Sequence, residues 1–74
     1  MKMTIESTSR MVDVNGLQCR VWEGESERGV KVVVLVPRIA VPMGEDQSQF
    51  AAELQETRPP SVQAVEVFPL RMVL

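Results

Sequence analysis

Residues 30–36 read VKVVVLV, and this is the stretch that decides the fold, because Lys31 is its only polar residue. Branched side chains at this density favour an extended backbone, since a strand tolerates their stiff χ1 angle better than a helix does. Apolar residues occupy both alternating faces of the stretch, which is typical of a strand covered on both sides. The pattern therefore predicts a central strand with the other elements arranged around it.

A β-hairpin is predicted before this strand. Asn15-Gly16 suits the positive φ angles of a type I′ turn. The turn fixes a register, in which the predicted pairs are Val14 with Leu17, Val12 with Cys19, Arg10 with Val21, Asp13 with Gln18, Met11 with Arg20, and Ser9 with Trp22. One face of this hairpin is apolar apart from Arg10 and the other is mostly polar. Residues 3–7 are expected to form a short strand or the lead-in to one, and residues 23–29, EGESERG, an exposed polar loop.

A helix is expected after the central strand. Pro37 interrupts the strand, because proline has no backbone N–H to donate to a ladder. From Glu45 the spacing of apolar residues becomes that of a helix, and Asp46 is its predicted N-cap. Phe50 and Leu54 form the stripe that lies on the sheet, and Pro59-Pro60 ends the helix. Residues 61–74 then predict a last strand region with an apolar, docked end. The predicted fold is α+β: a small, mainly antiparallel sheet in the order β-β-β-α-β with one helix packed on it, in a single domain, 1–74.

The composition excludes several classes of protein. One cysteine rules out an intrachain disulfide, and the absence of histidine rules out a usual zinc site or a histidine-based catalytic group. A net charge of −2 makes nucleic acid an unlikely partner, because phosphate binding requires a concentrated basic surface. No apolar run is long enough for a membrane span and no signal peptide is visible, so we expect a cytoplasmic protein with no membrane partner.

The residues that could carry out catalysis or bind a ligand are explained more simply by structural roles. Cys19 lies on the apolar hairpin face, where a buried thiol acting as a small hydrophobe is favoured over a nucleophile. The glutamates of 23–29 are expected to form a solvated tip rather than an acid–base pair. The four glycines are too dispersed to cradle a phosphate. We therefore predict no catalytic residue, no metal site and no cofactor, and expect that the protein is not an enzyme, with an enzyme as the weakest of three alternatives.

Candidate interaction residues form three groups. Trp22 shares the more polar hairpin face with Arg20 and Met11, and tryptophan with arginine is typical of interface hot spots. The alternative is that the helix covers this face and Trp22 is core. The proline-bracketed segment 37–42 is either a binding edge or a stiff connection. The full set of candidates is Trp22, Arg20, Met11, Arg38, Leu70, Met72 and Leu74.

Several stretches resemble the short accessory proteins encoded by tailed bacteriophages and prophages of proteobacteria. They are IEST at 5–8, RVWEG at 20–24, PRIAVP at 37–42, RPPS at 58–61 and PLRMVL at 69–74. None of them is a catalytic motif. The resemblance implies no activity, but it does imply a setting, the cytoplasm of an infected bacterial cell.

Two functions follow as hypotheses. The first is a non-enzymatic protein-binding module, a phage-type accessory factor that binds or inhibits a host protein such as a defence complex. The second is a homo-oligomeric structural component, for example of a virion, that self-associates through its C-terminal strand. An acidic mimic of nucleic acid is a weaker alternative, because eight cations offset the ten carboxylates.

Overall fold

The computed structural model describes residues 1–61. It contains β1 (Met3–Val14), β2 (Leu17–Ser26), β3 (Lys31–Val36) and α1 (Gln47–Leu54). Both strand pairs are antiparallel, so an α+β fold with a three-stranded antiparallel sheet and one helix is confirmed. The predicted last strand, including Leu70, Met72 and Leu74, lies outside the described residues apart from Ser61.

The middle strand of this sheet is β2, because the strand order is β1-β2-β3. The prediction that residues 30–36 form the central strand is therefore wrong for the described part of the chain. Two consecutive hairpins connect the three strands, and such a meander places the second strand between the other two. β3 begins at Lys31, so Val30 is exposed outside it, and residues 32–36 are half-buried.

The first hairpin has the predicted Asn15-Gly16 turn, with φ angles of 51° and 86°. Its pairs next to the turn are as predicted, from Val14 with Leu17 to Met11 with Arg20. Beyond Met11 the register shifts, and Ser7 rather than Ser9 lies opposite Trp22. Residues 8–10 form a bulge opposite a single residue of β2, so the predicted pairs of Ser9 and Arg10 are wrong. Polarity alone could not reveal this shift, because moving by two residues keeps every side chain on its own face.

The second hairpin is tighter than predicted. β2 continues to Ser26, so four of the seven residues of the expected loop 23–29 are strand. The Ser26 N–H donates to the Val30 carbonyl at 2.8 Å, and the Gly29 N–H donates to the Ser26 carbonyl at 3.0 Å. Gly29 has a φ of 87°, which a glycine adopts without strain. The exposed turn is therefore residues 27–30.

The core of the described residues lies on one face of β2. Cys19, Val21 and Glu23 are 4%, 3% and 7% exposed, and they alternate with less buried neighbours. Burial of the Cys19 thiol is as predicted, and its Sγ donates to the Leu17 carbonyl at 3.7 Å. Burial of Glu23 contradicts the prediction that it belongs to a solvated tip.

Helix α1 begins at the predicted cap. The Asp46 carboxylate accepts from the Gln49 N–H and from the Ser48 hydroxyl, each at 2.8 Å, and these bonds lower the pKa of its carboxyl below the ordinary value. Phe50 and Leu54 are half-buried, and none of the helix residues is fully buried. Within residues 1–61, no helix has the length and hydrophobicity that crossing a bilayer requires.

Candidate functional site

The predicted interaction residues Trp22, Arg20 and Met11 lie on one face of the sheet, which we call the Trp22 face. Residues that pair directly across neighbouring strands point to the same side. Pairing therefore gives this face three rows across β1, β2 and β3: Met11, Arg20 and Val36; Ser7, Trp22 and Val34; Ile5, Gly24 and Val32.

The Trp22 face is the more open side of the middle strand. Trp22 and Arg20 are half-buried, whereas Val21 and Glu23, which point to the other side, are buried. Met11 is 45% exposed, directly opposite Arg20. The Arg20 guanidinium donates from one terminal nitrogen to the Thr8 carbonyl at 2.8 Å, which fixes its position. This face therefore carries the Trp22 ring, the Arg20 guanidinium and the exposed Met11 side chain, next to the half-buried valines of β3.

Gly24 brings the strands unusually close at one corner of this face. A Cβ added to Gly24 would lie 1.8 Å from the Thr4 carbonyl oxygen. A side chain is therefore impossible here without moving β1, so this glycine is required by the close approach of the two backbones. Because Gly24 has no side chain, β2 places none between Ile5 and Val32 in this row.

Of the remaining predicted interaction residues, the structure describes only Arg38. Arg38 is exposed in the connection between β3 and α1, outside the paired strands. Leu70, Met72 and Leu74 lie outside the described residues.

The opposite face holds a buried charge that the sequence analysis missed. Glu6 of β1 and Glu23 of β2 lie directly opposite each other. One terminal nitrogen of Arg58 is 2.9 Å from Glu23 Oε1, and its Nε is 3.6 Å from Glu6 Oε2. Ser61 donates its backbone N–H to both Glu23 oxygens, at 3.1 and 3.2 Å, and its hydroxyl at 3.3 Å. The Glu23 carboxylate is therefore satisfied although its side chain is only 9% exposed.

Residues 56–61, which we call the strap, carry these partners to the sheet. Arg58 forms a parallel bridge with Thr8, in which the Ser9 N–H donates to the Arg58 carbonyl at 2.9 Å and the Arg58 N–H donates to the Ser7 carbonyl at 3.2 Å. The Ser7 hydroxyl also donates to the Glu56 carbonyl at 3.2 Å. The strap thus joins the sheet through backbone and side chain together.

The bulge at Thr8 makes this bridge possible. Thr8 is fully buried, and its hydroxyl donates to the Val21 carbonyl at 2.7 Å while accepting from the Arg10 N–H at 3.2 Å. The hydroxyl thereby satisfies a β2 carbonyl where the regular ladder is interrupted. Thr8 links both faces, since its carbonyl holds Arg20 on the Trp22 face while its backbone neighbours hold the strap.

Comparisons with known proteins place this chain in no family. No protein-family model matches it, and no curated protein or solved structure is significantly similar to it. Among residues 1–61, no group of three or more His, Cys, Asp or Glu side chains is arranged to hold a metal ion.

Proposed function

We propose that the protein is a non-enzymatic protein-binding module and that the Trp22 face is its contact surface. The observation that carries the proposal is the contrast between the two sides of the middle strand. One side buries Cys19, Val21 and Glu23, whereas the other presents Trp22 beside Arg20 and the exposed Met11.

This arrangement has the physical properties of a binding hot spot. Tryptophan provides a large apolar area and one N–H donor, and arginine provides a rigid fork of donors. Such residues contribute most of the energy in protein interfaces when flatter apolar neighbours exclude water around them. Val32, Val34 and Val36 supply those neighbours on one flank. Ordering Arg20 in advance lowers the entropy that binding costs.

The setting we propose follows from the resemblance to phage and prophage accessory proteins. In that setting the module acts in the bacterial cytoplasm and occupies a host protein, such as a component of a defence complex. The C-terminal residues Leu70, Met72 and Leu74 extend the contact in this proposal, as part of a last strand region at 61–74. Nucleic acid and membrane are not among the proposed partners.

A second function is favoured by the small size of the core. Only Thr8, Cys19, Val21 and Glu23 are fully buried among residues 1–61. Domains with so little buried surface commonly gain stability by association. The second candidate is therefore a homo-oligomeric structural component, for example of a virion, built by pairing of C-terminal strands. Light scattering separates the two candidates, because a monomer at micromolar concentration contradicts self-assembly.

The experiment that tests the proposed function compares two matched methionine variants. Tagged wild-type protein, Met11→Ala, Met43→Ala and, as a further variant of the Trp22 face, Trp22→Phe are used to capture partners from a bacterial host lysate. Met11 belongs to the Trp22 face, and Met43 is 96% exposed in the connection between β3 and α1. We expect a stoichiometric partner that Met11→Ala and Trp22→Phe lose and Met43→Ala retains. Equal capture by the two methionine variants, or no stoichiometric partner, contradicts the proposal.

A further inference from the structure

The strap is attached to the sheet by the contacts that proteins use to recognise extended peptides. Its backbone pairs with β1 on both sides of Thr8, as a peptide does when it adds to a sheet edge. Its arginine reaches two carboxylates, Glu6 and Glu23, which stand opposite each other on neighbouring strands. Backbone pairing supplies affinity in this mode, and the arginine supplies selectivity.

The folded protein needs a cation beside the Glu6 and Glu23 carboxylates. Like charges directly opposite each other destabilise a strand pair, and burying Glu23 adds a desolvation cost. A well-packed apolar pair would serve stability at least as well as a buried ion pair. The two carboxylates therefore make this place selective for an arginine over an apolar side chain.

Within residues 1–61, these contacts join the strap to the sheet. Helix α1, which precedes it, has no fully buried residue. Thr57, Pro59 and Ser61 are exposed, and Arg58 is half-buried. Pro59 and Pro60 restrict the backbone to extended conformations, so the strap keeps its shape when it detaches. Opening the strap exposes the Glu23 carboxylate and the paired backbone of β1 at once.

We propose that the strap is an autoinhibitory segment over a second binding site, formed by Glu6, Ser7, Thr8, Ser9 and Glu23. The ligand of this site is an extended, arginine-bearing segment of a protein partner, which displaces the strap by making the same contacts. The two carboxylates of this site lie on the other side of β2 from the Trp22 side chain, and Ser7 alone borders both surfaces. The two proposals are tested separately, because one depends on the carboxylates and the other on Trp22 and Met11.

The test uses the full chain with a peptide of residues 55–61, QETRPPS, as the probe. Arg58→Ala weakens the strap while leaving the site intact. We expect this variant to bind the peptide saturably in calorimetry, and the wild-type chain to bind it about tenfold more weakly because its own strap competes. A peptide with alanine in place of arginine, and the double variant Arg58→Ala, Glu23→Gln, are each expected to lose about tenfold or more in affinity. Equal binding of both peptides, or no binding to folded Arg58→Ala, overturns the proposal.

Hydrogen exchange on the wild-type chain keeps the proposal testable when Arg58→Ala does not fold. The amides of Ser9 and Arg58 both donate across the contact between strap and β1. An autoinhibitory strap opens locally, so these amides are expected to exchange at least about tenfold faster than those of β2. Protection equal to that of β2 means that the strap opens only on global unfolding, and it overturns the proposal. A wild-type dimer that Glu23→Gln dissociates assigns the site to a second copy of this chain instead, and also overturns it.

Discussion

Removing the Arg58 side chain leaves the Glu23 carboxylate buried opposite Glu6 without its cation. In the folded protein the closest distance from the guanidinium to Glu23 is 2.9 Å, and the Glu23 side chain is 9% exposed. The unfolded chain hydrates both groups, so the penalty for the missing cation falls on the folded state alone. Arg58→Ala is therefore expected to lower the free energy of unfolding.

The magnitude follows from the exposure of the two partners. Removing one partner of a fully buried pair costs about 3–5 kcal/mol, whereas an exposed pair contributes less than about 1 kcal/mol. Because the Arg58 side chain is 37% exposed, we expect an intermediate cost of about 2–3 kcal/mol. In a domain of this size that corresponds to a fall in Tm of about 10–20 °C.

The assay is a double-mutant cycle with Arg58→Ala and Glu23→Gln, followed by urea unfolding and circular dichroism. The expected coupling energy is about 2 kcal/mol. The exposed pair Lys31–Glu25 is the matched control, because its atoms are 3.3 Å apart but its side chains are 84% and 49% exposed. Its coupling is expected to stay below about 0.5 kcal/mol. Equal coupling in the two cycles would refute the reasoning that burial makes the Glu23 pair important.

Three further predictions test local features of the fold. Thr8→Val should lower the free energy of unfolding by about 1–3 kcal/mol, because a buried β2 carbonyl loses its donor, and Thr4→Val at an exposed site of the same strand should change it by less than about 0.5 kcal/mol in urea titrations. Gly24→Ala should reduce Tm by more than Gly44→Ala does, because the new Cβ at Gly24 meets backbone, whereas at Gly44 it meets no atom within 4 Å and costs only the strain of a φ of 98°. A Gly24→Ala protein with the wild-type Tm would contradict the close strand approach. The Asp46 carboxylate stabilises the helix at pH values above its pKa in the unfolded chain, and this stabilisation is lost as the pH falls through the lowered pKa of the folded protein. NMR should therefore show fraying of the first helical turn at acid pH, and Asp46→Asn should abolish this pH dependence.

The parts of the fold that local chemistry determines could be predicted from the sequence. Asn15-Gly16 specifies a turn whose geometry few other dipeptides adopt, and the register beside it follows directly. The Asp46 cap has an equally local cause. The proximity of Met11 and Arg20 on the Trp22 face follows from the same register. These are the features on which prediction and structure agree.

Features that depend on distant partners could not be predicted in the same way. Glu23 has the same parity as Cys19 and Val21, so its inward direction was visible in the sequence. What the sequence did not show is the cation that makes burial tolerable, because Arg58 lies far along the chain. The bulge at Thr8 was hidden for a similar reason, since a two-residue shift preserves the polarity pattern. The valine-rich stretch was assigned to the centre because apolar content does not reveal strand order.

We propose that β2 buries the side chains of one face and presents Trp22 on the other face to a partner. Trp22 is the only tryptophan of the chain, so its fluorescence reports this face alone. The most direct measurement is quenching of that fluorescence by acrylamide, in the free protein and in complex with the captured partner. We expect clear quenching of Trp22 in the folded free protein and protection of Trp22 from quenching in the complex. A tryptophan that acrylamide does not reach in the free folded protein, or one equally quenched with and without partner, would contradict it.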